Sequence, residues 1–204
     1  MNPFDLPGIL AAFALAAVLA AAAPSSVLAR QAATAGAEMQ GPQVISWGRV
    51  EVTAGPELAF EVLTDYDRMA DFLPGMLTSE VAARRGHSVV VEQSAEEGML
   101  FFTQRIDVRL AIDESPPRRI SIRALAGSFK QLTGTYELTR MDGGTMIDYR
   151  ARFIPDFRLP AMIGLYAVQR SLERHLAALA AEMERRASHG AARADAGGKP
   201  TGER

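Results

Sequence analysis

The apolar positions along residues 44–187 change period twice. Residues 44–53, VISWGRVEVT, alternate apolar and polar side chains, which predicts a strand. Ala54-Gly55-Pro56 turns the chain, with Pro56 suited to a first helical position. Leu58, Phe60, Val62 and Leu63 then predict a short helix. A second short helix runs through Tyr66, Met69 and Phe72 and is stopped by Pro74-Gly75. Strand-like runs follow at 77–84, 87–94, 99–113, 118–126, 129–140 and 144–154, divided by Arg85-Gly86, Glu97-Gly98, Pro116-Pro117 and Asp142-Gly143-Gly144. Consecutive runs punctuated by Gly and Pro predict hairpins and hence an antiparallel meander. Ile106, Val108, Leu110 and Ile112 take one face of such a strand and Arg105, Asp107 and Arg109 the other, so one face is buried and one wet.

After Pro160 the period becomes helical. Leu165, Val168, Leu172, Leu176, Leu179 and Met183 recur at spacings of three and four, with Glu173, Arg174, Glu182, Arg185 and Arg186 elsewhere. Residues 161–187 thus predict an amphipathic helix of roughly 40 Å at 1.5 Å per residue. Its first turns, AMIGLYAV, are apolar on every side, so they are covered all round or face a cavity. One strand, two short helices, six strands and one long helix predict an α+β domain, its curved antiparallel sheet of about seven strands wrapped around the carboxy-terminal helix.

The two ends differ from this body. Residues 8–23, GILAAFALAAVLAAAA, are uncharged, are followed by Pro24, and precede small-residue cleavage sites at Val27-Leu28-Ala29 and Ala33-Thr34-Ala35. Sixteen apolar residues are short for a membrane span, which needs about 20. Residues 1–29 therefore read as a signal peptide, with an uncleaved amino-terminal anchor as the alternative. Either places the body outside the cytoplasm, in the periplasm, free or held at the inner membrane. Residues 30–42 read as a linker, 43–187 as the domain and 188–204 as a disordered tail.

Composition narrows the function. The 204 residues carry a formal net charge of −2 and no cysteine. That excludes disulfides, thiolate metal sites and a cysteine nucleophile. Near-neutral charge, with no basic run interleaved by aromatics, excludes a strongly basic nucleic-acid binder. His87, His175 and His189 show no metal spacing and read as solvated. Asp65-Tyr66-Asp67 reads as helix capping with a packed tyrosine, an acid/base carboxylate pair being the alternative. Arg84-Arg85 and Arg118-Arg119 read as solvated pairs beside turns.

LAFEVLTDYDRMADFLPGM (58–76), FF (101–102), ESPPRRISI (114–122), LAGSFKQLTGTYELT (125–139), GGTMIDYRARFIPDFRLP (143–160) and the long helix occur in an order that resembles the START-like (SRPBCC) superfamily with its helix-grip fold. More narrowly, they resemble the polyketide cyclase/dehydrase group that includes the coenzyme Q-binding START-domain proteins. The resemblance implies an apolar cavity between sheet and helix, open to a lipid, quinone, sterol or aromatic polyketide. The candidates for its wall and mouth are Phe72, Leu100, Phe102, Gln104, Ile106, Tyr149, Phe153, Met162, Ile163 and Tyr166. Tyr149 and Gln104 share parity with inward apolar neighbours and could hydrogen-bond a ligand oxygen. The loops around Phe72-Leu73-Pro74 and Phe153-Pro155-Phe157 frame the mouth.

The resulting expectation is a non-catalytic carrier of a hydrophobic small molecule, with transient membrane contact and no cofactor. Ubiquinone or a lipid enters as ligand. Two alternatives stand beside it. One is a polyketide aromatase/cyclase using Tyr149, Gln104 and Arg150 or Arg152. The other is a protein-interaction module like the ribosome-association toxins of the family.

Overall fold

The computed structural model describes residues 33–99, 102–157 and 161–197. The predicted leader lies outside them. β1 (Thr34–Gln40) and β2 (Gln43–Val52) form a hairpin, followed by α1 (Pro56–Leu63), a 3-10 turn (Tyr66–Arg68) and α2 (Met69–Phe72). The meander comprises β3 (Met76–Arg85), β4 (Ser88–Met99), β5 (Phe102–Ser115), β6 (Arg119–Gly127), β7 (Phe129–Met141) and β8 (Gly144–Pro155). α3 (Ala161–Gly197) closes the chain. All eight strands join one antiparallel sheet in the order β1-β2-β8-β7-β6-β5-β4-β3. This is the helix-grip fold: a curved, unclosed sheet holding a long carboxy-terminal helix. Register shifts between Val81 and Ala83, at Arg109/Leu110 and at Phe129/Gln131 supply bulges, which bend and twist a sheet.

Two boundaries differ from expectation. Thr34–Gln40 is not a linker but strand β1, paired with β2 from Thr34↔Arg49 to Gln40↔Gln43. Its inward parity is Ala35, Ala37 and the exposed Met39, and Ala33 and Ala35 pack against the core. Alanine carries little β signal, so the alternation was hidden. On the outer face the Trp47 indole lies flat over Gly36, where any Cβ would strike the ring. At the other end, α3 extends to Gly197, through residues read as tail. Alanine and arginine favour helix there although no apolar face exists.

The inward parity of β2 buries Val44, Ser46, Val50 and Val52, and the matching positions of β8 bury Thr145, Ile147 and Ala151. α3 runs along β1 and β2 and touches β4. Gly48 makes the close approach possible: a Cβ there would come within 2.5 Å of Leu176 Cδ1 and 3.3 Å of Leu172 Cδ2. Leu176, Leu179 and Met183 are buried beneath α1, whose Ala59, Val62 and Leu63 complete this end of the core. Burial of each large aliphatic side chain contributes roughly 1.5–3 kcal/mol.

Candidate functional site

Packing changes from one end of the sheet to the other. On β5, Ile112 and Leu110 are buried, whereas Val108, Ile106 and Gln104, on the same face, are half-buried. On β8, Ile147 is buried while Tyr149 and Phe153 are half-buried. On β7, Leu138 is buried while Tyr136 and Leu132 are half-buried. Inward side chains that keep accessible surface line a hollow rather than fill a core.

That hollow is a cavity of about 210 Å³ between the sheet and α3. Gln104 and Ile106 of β5, Leu132 of β7, and Tyr149 and Phe153 of β8 form its sheet wall. Ala167, Val168, Ser171, Leu172 and His175 form its helix wall. Phe129 and Phe157 close one side. Phe129 meets Phe153 edge-on at 5.4 Å and Phe157 at 6.4 Å between ring centroids, a preferred aromatic geometry. The volume is below the roughly 300–1,000 Å³ of sites that enclose a drug-sized molecule. It suits one ring or a short chain.

Tyr149 is an aromatic polar group of this wall. Its ring stacks at 4.6 Å, tilted, on Tyr136. Burial pushes its phenol up to about 12. The hydroxyl is therefore protonated across the physiological range, and among the described residues it has no hydrogen-bond partner. Burial likewise raises Tyr136 well above the ordinary phenol value. Gln104 donates from Nε2 to the carbonyl of Arg105 at 2.8 Å, which leaves its amide oxygen open.

At the cavity mouth, three segments meet on Glu97 of β4. Ser171 donates its hydroxyl to Glu97 Oε1 at 2.6 Å, and Arg174 donates to Oε2 at 3.0 Å. His175 Nε2 lies 3.0 Å from the carbonyl of Pro74 and 3.4 Å from Glu97 Oε1. Gly75, at φ +80°, brings the preceding loop against β4, and the Glu96 amide donates to its carbonyl at 2.8 Å.

Of the residues expected at the cavity, Gln104, Ile106, Tyr149 and Phe153 lie together in its wall. Two lie elsewhere. Phe72 packs against the core from α2, with the Arg186 guanidinium 5.9 Å from its ring. Tyr166 is 60% exposed, because the helical turn that aims Val168 and Leu172 inward aims it outward. Leu100 and the side chains of Phe102, Met162 and Ile163 lie outside the described residues. Glu97, Ser171 and His175 were missed. Ser171 and His175 stand one helical turn apart beside the apolar stripe, and that polar seam was the available signal.

The Asp65-Tyr66-Asp67 run makes tethering contacts rather than a side-chain cap. Asp65 makes no cap hydrogen bond; its Oδ2 accepts from Arg186 at 2.6 Å. Asp67 Oδ1 accepts from the amide of Val81 at 2.7 Å. Tyr66 donates to the buried Glu114 at 3.1 Å, and Glu114 also pairs with Arg84 at 3.1 Å, so Arg84 is a tether rather than a solvated charge. Arg150 and Arg152 point away from the cavity, opposite Trp47 and Ile45 on the outer face. A hollow of about 1080 Å³ lies on that outer face. It is open, and its lining includes the ion pairs Arg49–Asp148 at 2.7 Å and Arg119–Glu137 at 3.8 Å. Among the described residues, no group of three His, Asp or Glu could hold a metal ion.

Three solved structures share this architecture. The Zhui aromatase/cyclase from Streptomyces sp. R1128 is 20% identical, covers 71% of this chain and 96% of its own, and superposes with a TM-score of 0.59. A START superfamily protein from Mycobacterium smegmatis is 16% identical over 69% of this chain and 97% of its own, at 0.60. The STAR-related lipid transfer protein from Xanthomonas axonopodis is 14% identical over 75% and 94%, also at 0.60. At these identities the likeness is one of fold. No curated protein matches the chain. Residues 47–184 match the family described as polyketide cyclase / dehydrase and lipid transport. Since that match spans the sheet from β2 onward and the cavity-facing part of α3, the chain belongs to the polyketide cyclase/dehydrase and lipid transport family.

Proposed function

We propose that this chain is an exported, non-catalytic carrier that holds part of a lipid or isoprenoid quinone between its sheet and α3. The observation that carries the reading is the cavity of about 210 Å³ walled by Ile106, Leu132, Phe153, Val168 and Leu172. Burying a ligand against such a wall contributes about 25 cal/mol per Å² of apolar area, so affinity needs no reactive group. The cavity volume matches a ring or the end of a chain, with the remainder of a long ligand outside it. The exposed Tyr166, next in sequence to the wall residue Ala167, supports transient contact with a membrane during loading. The apolar leader at residues 8–23 supports export.

The test is native mass spectrometry of the protein recovered from its producing cell, followed by organic extraction. A bound mass that extracts as a lipid or quinone, on a chain beginning after the leader, is the expected result. A ligand-free chain that takes up neither quinone nor fatty acid would overturn the carrier reading.

An aromatase/cyclase reading draws on one observation, the unpartnered Tyr149 hydroxyl inside an apolar wall. A phenol so placed could polarise a ketone and pass a proton. With Arg150 and Arg152 outside the cavity, the polar side chains that share the sheet wall with Tyr149 are Gln104, Ser46 and Glu97.

A further inference from the structure

We propose that Glu97 sets the polar end of the cavity and selects ligands headed by a neutral hydroxyl, phenolic or alcoholic, over ligands headed by a carboxylate or phosphate. This rests on the carrier reading. Glu97 is the one acid in the cavity lining, and among the described residues no Lys or Arg shares that lining. Arg174, which pairs with it at 3.0 Å, is itself more than half exposed and stands outside the wall.

The hydrogen-bond inventory of the mouth gives the selectivity. Glu97 Oε1 accepts from Ser171 and lies beside His175, whereas Oε2 accepts from Arg174 alone. A carboxylate oxygen has two lone pairs, so Oε2 keeps one for a ligand. The donors here are already committed: the Ser171 proton goes to Glu97, and His175 Nε2 faces the Pro74 carbonyl. A hydroxyl head can donate to Glu97, and a charge-assisted bond of this kind is about twice as strong as a neutral one. A carboxylate or phosphate head would meet the Glu97 carboxylate with no Lys or Arg among the described lining residues to receive it.

Three fluorescent probes of one ring system distinguish the outcomes: a naphthol, its methyl ether and the matching naphthoate, titrated against the full-length protein. The expected order is naphthol tightest, the ether weaker by about tenfold, and naphthoate weakest. In Glu97→Gln the naphthol preference should fall to about threefold while naphthoate binding rises, because removing the charge removes the repulsion. A gain of naphthoate affinity is something a merely loosened fold does not produce. Equal wild-type affinities for naphthol and ether, or naphthoate binding as tight as naphthol, would overturn the proposal. Failure of all three to bind would instead overturn the carrier reading.

Discussion

Tyr149 presents an uncommitted hydroxyl donor in the sheet wall of the cavity, and its environment keeps it a donor. Burial moves its phenol up to about 12, so no pH between 5 and 9 ionises it appreciably. A ligand carbonyl, such as that of a naphthoquinone, can accept from it. Replacement by phenylalanine removes the oxygen and preserves the ring that stacks on Tyr136. Tyr149→Phe should weaken naphthoquinone binding about threefold to tenfold, the worth of a neutral hydrogen bond. Affinity for a naphthyl ether should stay the same. Calorimetric titration of both ligands checks this, and equal losses for both would show that Tyr149 acts only through packing. If the chain were an enzyme, the same variant would instead abolish turnover while leaving substrate affinity nearly intact.

α3 is fastened to the rest of the domain at the end opposite the cavity mouth. Glu182 accepts from Arg185 at 2.6 Å and from Arg186 at 2.7 Å, and Arg186 continues to Asp65 at 2.6 Å. The Arg185 bond, followed by that from Arg186, holds the Glu182 carboxyl down at about 2, below its ordinary 4.5. A depressed acid stabilises the fold above its unfolded value and loses that contribution as pH falls. The loss should therefore occur between about pH 4.5 and 2. Thermal melts of Glu182→Gln should show lower stability at pH 7 and a flatter decline through that window; parallel pH profiles for variant and wild type would exclude the linkage. The apolar stripe that places α3 could be read from Leu172, Leu176, Leu179 and Met183 alone, because a helical face repeats within the element itself. The anchors could not. Arg186 meets Asp65 across 121 positions, and Glu97 meets Ser171 across 74. β1 was lost for a related reason: Ala35 and Ala37 take inward positions, and only the pairing with β2 makes the segment a strand. The meander from β3 to β8 was legible because Gly and Pro turns mark each hairpin locally.

At the scale of the whole molecule, the domain divides into a packed half and a hollow half along the same strands. Helix α3 approaches β2 closely at Gly48 and faces the half-buried side chains of β5, β7 and β8 across the cavity. A void among apolar side chains forfeits dispersion contacts, so a hollow that persists costs stability. If its purpose is to hold a ligand, filling it should raise stability and remove binding together. Ala167 lies on the helix wall and is half-buried, and leucine fits the same helix without strain. Ala167→Leu should increase unfolding free energy by about 0.5–2 kcal/mol, as cavity-filling changes commonly do. The same substitution should weaken naphthol binding by more than about tenfold, since the added branch occupies space the ring requires. Chemical denaturation and probe titration on one preparation test both halves of this expectation. A variant that gained stability yet bound the probe unchanged would place the ligand somewhere other than between the sheet and α3.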